Sequence, residues 1–137
     1  MDGIAITLQK WDFHRFQPDF VVINLGTNDD SYCKDITARQ EEYVACYAQF
    51  LQQVRSHNQE AYILCVYGIM TDRLYPYVQK AVEIYQKQTG DERIRALHIE
   101  PHTEEAGYAA DWHPSKLTHT RAAGEVAAQI RSLWEMC

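Results

Sequence analysis

The chain has 137 residues, 46% of them hydrophobic, and its 19 acidic against 13 basic side chains leave a formal charge of −6. That is enough chain for one globular domain, able to bury about 70% of the surface it exposes when unfolded. The acidic balance, without any Lys/Arg tract, excludes nucleic acid and anionic membrane as expected partners.

In chain order, Met1 to Lys10 lacks the basic-then-apolar sequence of a signal peptide, and no run approaches the roughly 20 apolar residues of a bilayer span. The expected location is the cytoplasm, or outside the cell should a leader precede Met1. Phe20-Val21-Val22-Ile23-Asn24-Leu25 is short, β-branched and almost continuously apolar, which predicts a central strand covered on both faces. Pro18 and Asp19 punctuate its start, and Gly26, Asn28 and Asp29 mark a turn at its end. From Thr37 to about His57 apolar residues recur at helical spacing, with Thr37, Gln40 and Glu41 resembling a capping signal. Ala61 to Tyr67 is a second strand closed by Gly68, and Tyr75 to Lys87 a second amphipathic helix ending at Gly90. Ile94 to Ile99 predicts a third strand, Glu100 to Pro114 a polar loop, and Lys116 to Met136 a closing helix.

Strands alternating with helices imply one α/β domain over residues 1–137, with a parallel sheet, right-handed crossovers and functional groups at the C-terminal ends of the strands. Cys33, Cys46, Cys65 and Cys137 are widely spaced, without a Cys-x-x-Cys pair, and are expected to be buried free thiols.

Two short blocks fall where such a fold places a site: Gly26-Thr27-Asn28-Asp29 after the first strand, and Asp111-Trp112-His113-Pro114-Ser115 after the third. An Asn at a strand end can offer its amide N–H to a developing oxyanion, and a His on a facing loop can act as general base toward a hydroxyl. Blander roles stand beside these. Asn28 and Asp29 also suit a turn, and His113 suits packing ahead of a helix whose N-cap is Ser115. Trp112 either lines the site or packs on the final helix. Tyr32, Tyr67, Tyr75 and Tyr108 lie near strand ends or loops, where aromatic rings serve as core, as rim or as sugar platforms. His98, His102, His113 and His119 lack the paired helical spacing of a zinc site, so no metal is expected.

Gly26-Thr27-Asn28-Asp29 resembles the Gly-x-Asn-Asp block of the SGNH (GDSL-type) hydrolases, and His113-Pro114 the His-Pro of their last block. The stretch from Trp11 through Asp19 into Val21-Val22-Ile23-Asn24-Leu25-Gly26 is similar to family 2 carbohydrate esterases, the acetyl xylan esterase-like enzymes. The resemblance runs from about Trp11 to the C-terminus. It implies a three-layer αβα, flavodoxin-like parallel sheet. It also implies Asn28 as an oxyanion donor, His113 as the base paired with a serine, and Gly26 as the tight turn beneath the site; Gly26, Asp29 and Trp112 are the expected substrate-binding residues. In the wider family an acid lies three residues before the His. Here that position is Ala110, and the nearby carboxylate is Asp111, two residues before. Some family 2 esterases use a backbone carbonyl in its place, so either the Asp111 carboxylate or the Trp112 carbonyl orients His113.

The Gly-Asp-Ser nucleophile block and the glycine block of the oxyanion hole do not occur in these residues, and Ser31, Ser56, Ser115 and Ser132 sit in no nucleophile-elbow context. The chain therefore reads as an SGNH-type domain without its first strand, first helix and second strand. The resemblance implies Ser-His hydrolysis of esters, deacetylating carbohydrate in the complete form, with neither metal nor organic cofactor and with an acetylated carbohydrate or small ester as substrate. Its rivals are a catalytically inactive carbohydrate-binding module and a purely structural interaction domain. The strand at Phe20 to Leu25 would lie at a sheet edge, to be paired with a second copy or with an N-terminal segment.

Overall fold

A computed structural model describes residues 11–135. The expectations for Met1–Lys10, for Cys137 and for a last helix reaching Met136 lie outside these. After a short 3-10 turn at Phe13–Arg15 come β1 (Phe20–Ile23), α1 (Thr27–Cys33), α2 (Thr37–His57), β2 (Tyr62–Gly68), α3 (Tyr75–Thr89), β3 (Ile94–Ile99), a 3-10 turn at Ala110–Trp112, and α4 (Lys116–Trp134). The strands are parallel in the order β1-β2-β3, with Phe20 opposite Tyr62 and Gly68 opposite Ile99.

Period-two alternation along β2 divides the core. Ile63, Cys65 and Tyr67 face α2 and α3, joining Tyr43, Val44, Tyr47, Leu51, Val78 and Val82 in one cluster. Leu64 and Val66 face α4, where Ala122, Val126 and Ile130 meet them beside Ile99. Each fully buried aliphatic of this kind contributes about 1.5–3 kcal/mol. The result is an α/β fold of three layers: α2 and α3, the sheet, then α4.

Every residue of β2 is buried, so β2 is the strand covered on both faces. The sequence pattern predicted that place for β1; among the described residues β1 instead lies at the edge, the place expected for it if the first strands are missing, with Val22 44% exposed and Leu25, just past the strand, 52%. The burial differs because α4 packs on β2 and β3, while near its end the Trp134 ring lies 6.0 Å from that of Phe20 on β1. A groove of about 370 Å³ remains between α4 and the sheet, with Asn24 at one end of its lining and Ile130 among its walls.

The N-terminal ends of the strands are gathered by one side chain. Arg55, in the last turns of α2, donates to the carbonyls of Asn58, Gln59 and Ala61 ahead of β2, to that of Arg93 ahead of β3, and to Asp91 at 2.8 Å. The Tyr85 hydroxyl adds a second hydrogen bond to Asp91 at 2.9 Å. Cys33 and Cys65 are buried thiols as expected, whereas Cys46 is exposed. The expected cap at Thr37 is also corrected: Ile36 occupies the N-cap without a side-chain hydrogen bond, and Thr37 is already helical.

Candidate active site

At the opposite end of the sheet, each strand runs into a segment bearing one of the two blocks or holding it in place. The expected turn after β1 is a helix, because Asp30 N–H bonds to Gly26 O at 2.8 Å and starts α1 directly. Asn28 and Asp29 lie exposed in its first turn. Gly26 is required on two counts. Its φ of +123° lies in the left-handed half of backbone space, and a Cβ there would come within 2.6 Å of both the Tyr43 hydroxyl and the Tyr67 ring.

Those tyrosines also hold the turn. Tyr43 Oη donates to Leu25 O at 3.4 Å and Tyr67 Oη to Gly26 O at 3.5 Å. Burial above all, with nearby carboxylates adding to it, pushes both phenols well above their ordinary pKa, so both stay neutral donors. A third restraint comes from Asp30. Its buried carboxylate meets Arg73 Nε at 3.2 Å, tying α1 to the segment between β2 and α3.

The second block is carried by the long connection after β3. His102 N–H donates to Ile69 O at 2.8 Å, immediately past β2, so the loop crosses the C-terminal rim of the sheet. Ile69 itself has φ +74°, a sparse conformation for a β-branched residue, adjoining Gly68, where any Cβ would lie 1.8 Å from Ile99 O. Farther on, Tyr108 and Pro114 form an isolated antiparallel bridge, and Ala109 N–H donates to His113 O at 2.8 Å. Within that clasp Asp111 and Trp112 are consecutive left-handed residues, at φ +52° and +60°. Such pairs cost about 1–3 kcal/mol per residue and persist where the surroundings impose them.

The imposed turn directs the carbonyl of Ala110 at the ring of His113, Nδ1 to O at 3.0 Å. A carbonyl only accepts, so Nδ1 carries the proton and Nε2 of the neutral ring is left with its lone pair. In this structure the ring of His113 thus meets a different carbonyl from the Trp112 carbonyl, and not the Asp111 carboxylate, the two partners that the sequence suggested. Asp111 is exposed. Trp112 is 69% exposed and ends a run of rings in which Tyr108 lies 4.7 Å from His102 and 4.9 Å from Trp112.

The serines have other positions. Ser115 caps α4, accepting from Thr118 N–H at 3.3 Å, while Ser56 donates to Gln53 O. Ser31 and Ser132 are exposed on α1 and α4. Among the described residues no group of three or more His, Cys, Asp or Glu is placed to hold a metal ion. Sequence reasoning missed Ala110, Tyr43, Asp30 and Arg73. Only Tyr43 carried a signal, as an aromatic on the buried stripe of α2.

Comparison with known proteins follows the same lines. The family model of the GDSL-like lipase/acylhydrolases matches residues 3–124. The cellulase/esterase CelE of Acetivibrio thermocellus is 33% identical over 96% of this chain, which spans 17% of that protein. An acetylxylan esterase / glucomannan deacetylase of Cellvibrio japonicus is 28% identical over 92% of this chain and 34% of its own length. Among solved structures, a family two carbohydrate esterase from Clostridium thermocellum in complex with cellohexaose superposes with TM-score 0.83 at 30% identity, over 96% of this chain and 41% of the other. The acetyl xylan esterase Est2A of Butyrivibrio proteoclasticus shares the fold, with TM-score 0.87 at 24% identity over 93% and 40% of the two chains.

Proposed function

Because the chain belongs to the GDSL-like lipase/acylhydrolase family, we propose that it forms the Asn and His part of an ester hydrolase site that removes acetyl groups from carbohydrate. The serine comes from a strand that pairs with β1 on the side away from β2. His113 Nε2 takes the serine proton as the hydroxyl attacks the acetyl carbonyl, and the Asn28 amide donates to the oxyanion that forms. His113 then returns the proton to the departing sugar hydroxyl, and the same base activates water against the acyl-serine. Asp29 and Trp112 bind the sugar, and Gly26 keeps the backbone turn tight beneath it. The observation that carries this reading is the Nδ1 hydrogen bond to Ala110 O, which leaves Nε2 as the basic nitrogen.

The test is a chimera joining this chain to the serine-bearing first part of the A. thermocellus esterase domain. We expect turnover of p-nitrophenyl acetate and release of acetate from acetylated xylan. In that chimera His113→Ala should cut kcat by about 10³-fold or more, while the 137-residue chain alone retains only residual activity. A folded chimera that binds xylan yet turns nothing over would favour a binding module, a reading to which the exposure of Trp112 lends some support. Activity indifferent to His113→Ala would overturn the proposal.

A further inference from the structure

Tyr32 does not behave as a core residue. It is 55% exposed on α1 and follows Asn28 by four residues, which places the two on one stripe of the helix, about 5–6 Å apart at Cβ. Yet the residue is held. Arg39, from the first turn of α2, donates to Tyr32 O at 2.8 Å and sets its guanidinium carbon 4.5 Å from the ring centroid. With a cation backing one face, the exposed area belongs to the opposite face and the edge. An aromatic ring fixed in this way and turned outward loses little conformational freedom when something stacks on it.

Beside the ring, between α1 and α2, lies a cavity of about 180 Å³ whose lining includes Asp29, Tyr32, Arg39 and Glu42. Pockets that enclose a whole small ligand run to about 300–1,000 Å³, so this one has room for part of a single ring only. Its charged groups are two carboxylates that accept from hydroxyls and one guanidinium that donates to them. Two carboxylates repel phosphate or uronate. A neutral pyranose, apolar on its C–H face and rich in hydroxyls at its rim, matches both the platform and the cavity.

We propose that Tyr32, backed by Arg39, is a sugar-stacking platform beside Asn28, with Asp29 and Glu42 taking the hydroxyls of the same neutral sugar unit. This rests on the carbohydrate reading above and adds a second point of contact, one helical turn from the oxyanion donor.

Titration of the isotopically labelled 137-residue chain with cellohexaose and with xylohexaose, followed by amide NMR shifts, tests it. The expected result is a perturbation spanning Asn28 to Cys33 as well as the Trp112 loop. Loss of one aromatic platform should weaken Kd about three- to tenfold in Tyr32→Ala, with Tyr32→Phe close to wild type. The Arg39 hydrogen bond goes to the backbone carbonyl of residue 32 and survives the alanine substitution, so α1 keeps its anchor. Binding abolished by Trp112→Ala but unchanged in Tyr32→Ala would overturn the platform and leave the carbohydrate reading intact. Absence of any shift with either hexaose would overturn both.

Discussion

Imidazole can serve as a base at one nitrogen while the other is kept protonated, and in the proposed site the Ala110 carbonyl accepts from the Nδ1 proton of His113. A carbonyl fixes the tautomer but stabilises the imidazolium less than a carboxylate would. Asp111→Asn in the active chimera should therefore leave kcat within about threefold of its parent, whereas loss of a catalytic carboxylate costs about 10⁴-fold. Measured kcat across a pH series decides it, and a drop of several powers of ten would return the role to Asp111. At this scale the sequence singled out Asn28 and His113 as candidates, because side-chain chemistry is written in residue identity. Ala110 was not legible: its contribution is a main-chain oxygen whose direction depends on the left-handed φ of Asp111 and Trp112.

Among the elements, α2, α3 and β3 could be read because each carries its own periodicity and end signals, Gly90 closing α3 in the left-handed conformation. Helix α1 could not. Thr27-Asn28-Asp29-Asp30-Ser31 has no apolar stripe and reads as a turn. What makes it helical is tertiary: buried Cys33 and the Asp30 to Arg73 ion pair. The junction of α2 with β2 and β3 rests on a pair equally invisible in sequence, Arg55 with Asp91. Burial pulls the Asp91 carboxyl upward, but the Arg93 N–H, the Tyr85 hydroxyl and the Arg55 guanidinium outweigh it and bring the pKa below its ordinary 3.8. A pKa lower in the folded than in the unfolded state contributes stability above the unfolded value, and that contribution is lost as pH falls through the folded one. Asp91→Asn should thus lower stability by about 1–3 kcal/mol at pH 7, with the gap to wild type narrowing below about pH 4. Urea unfolding at stepped pH measures both curves, and a gap of equal size at pH 7 and pH 3 would rule the mechanism out.

For the molecule as a whole, the side of β1 away from β2 bears on association. Among the described residues β1 pairs only with β2, and a strand edge with exposed Val22, followed by exposed Leu25, is a template for another strand. The isolated chain should dimerise, giving light scattering close to twice its 15.9 kDa mass, and the chimera, with that edge occupied, should be monomeric. A monomeric isolated chain at about 100 μM, well above the micromolar range of modest interfaces, would argue against edge pairing.

The Arg55 hub sits where the strands begin, and the Asn28 and His113 segments lie beyond where they finish. Foundation and workshop thus occupy opposite poles of one sheet. A descendant lineage can remodel the rim while inheriting the anchoring pole unchanged.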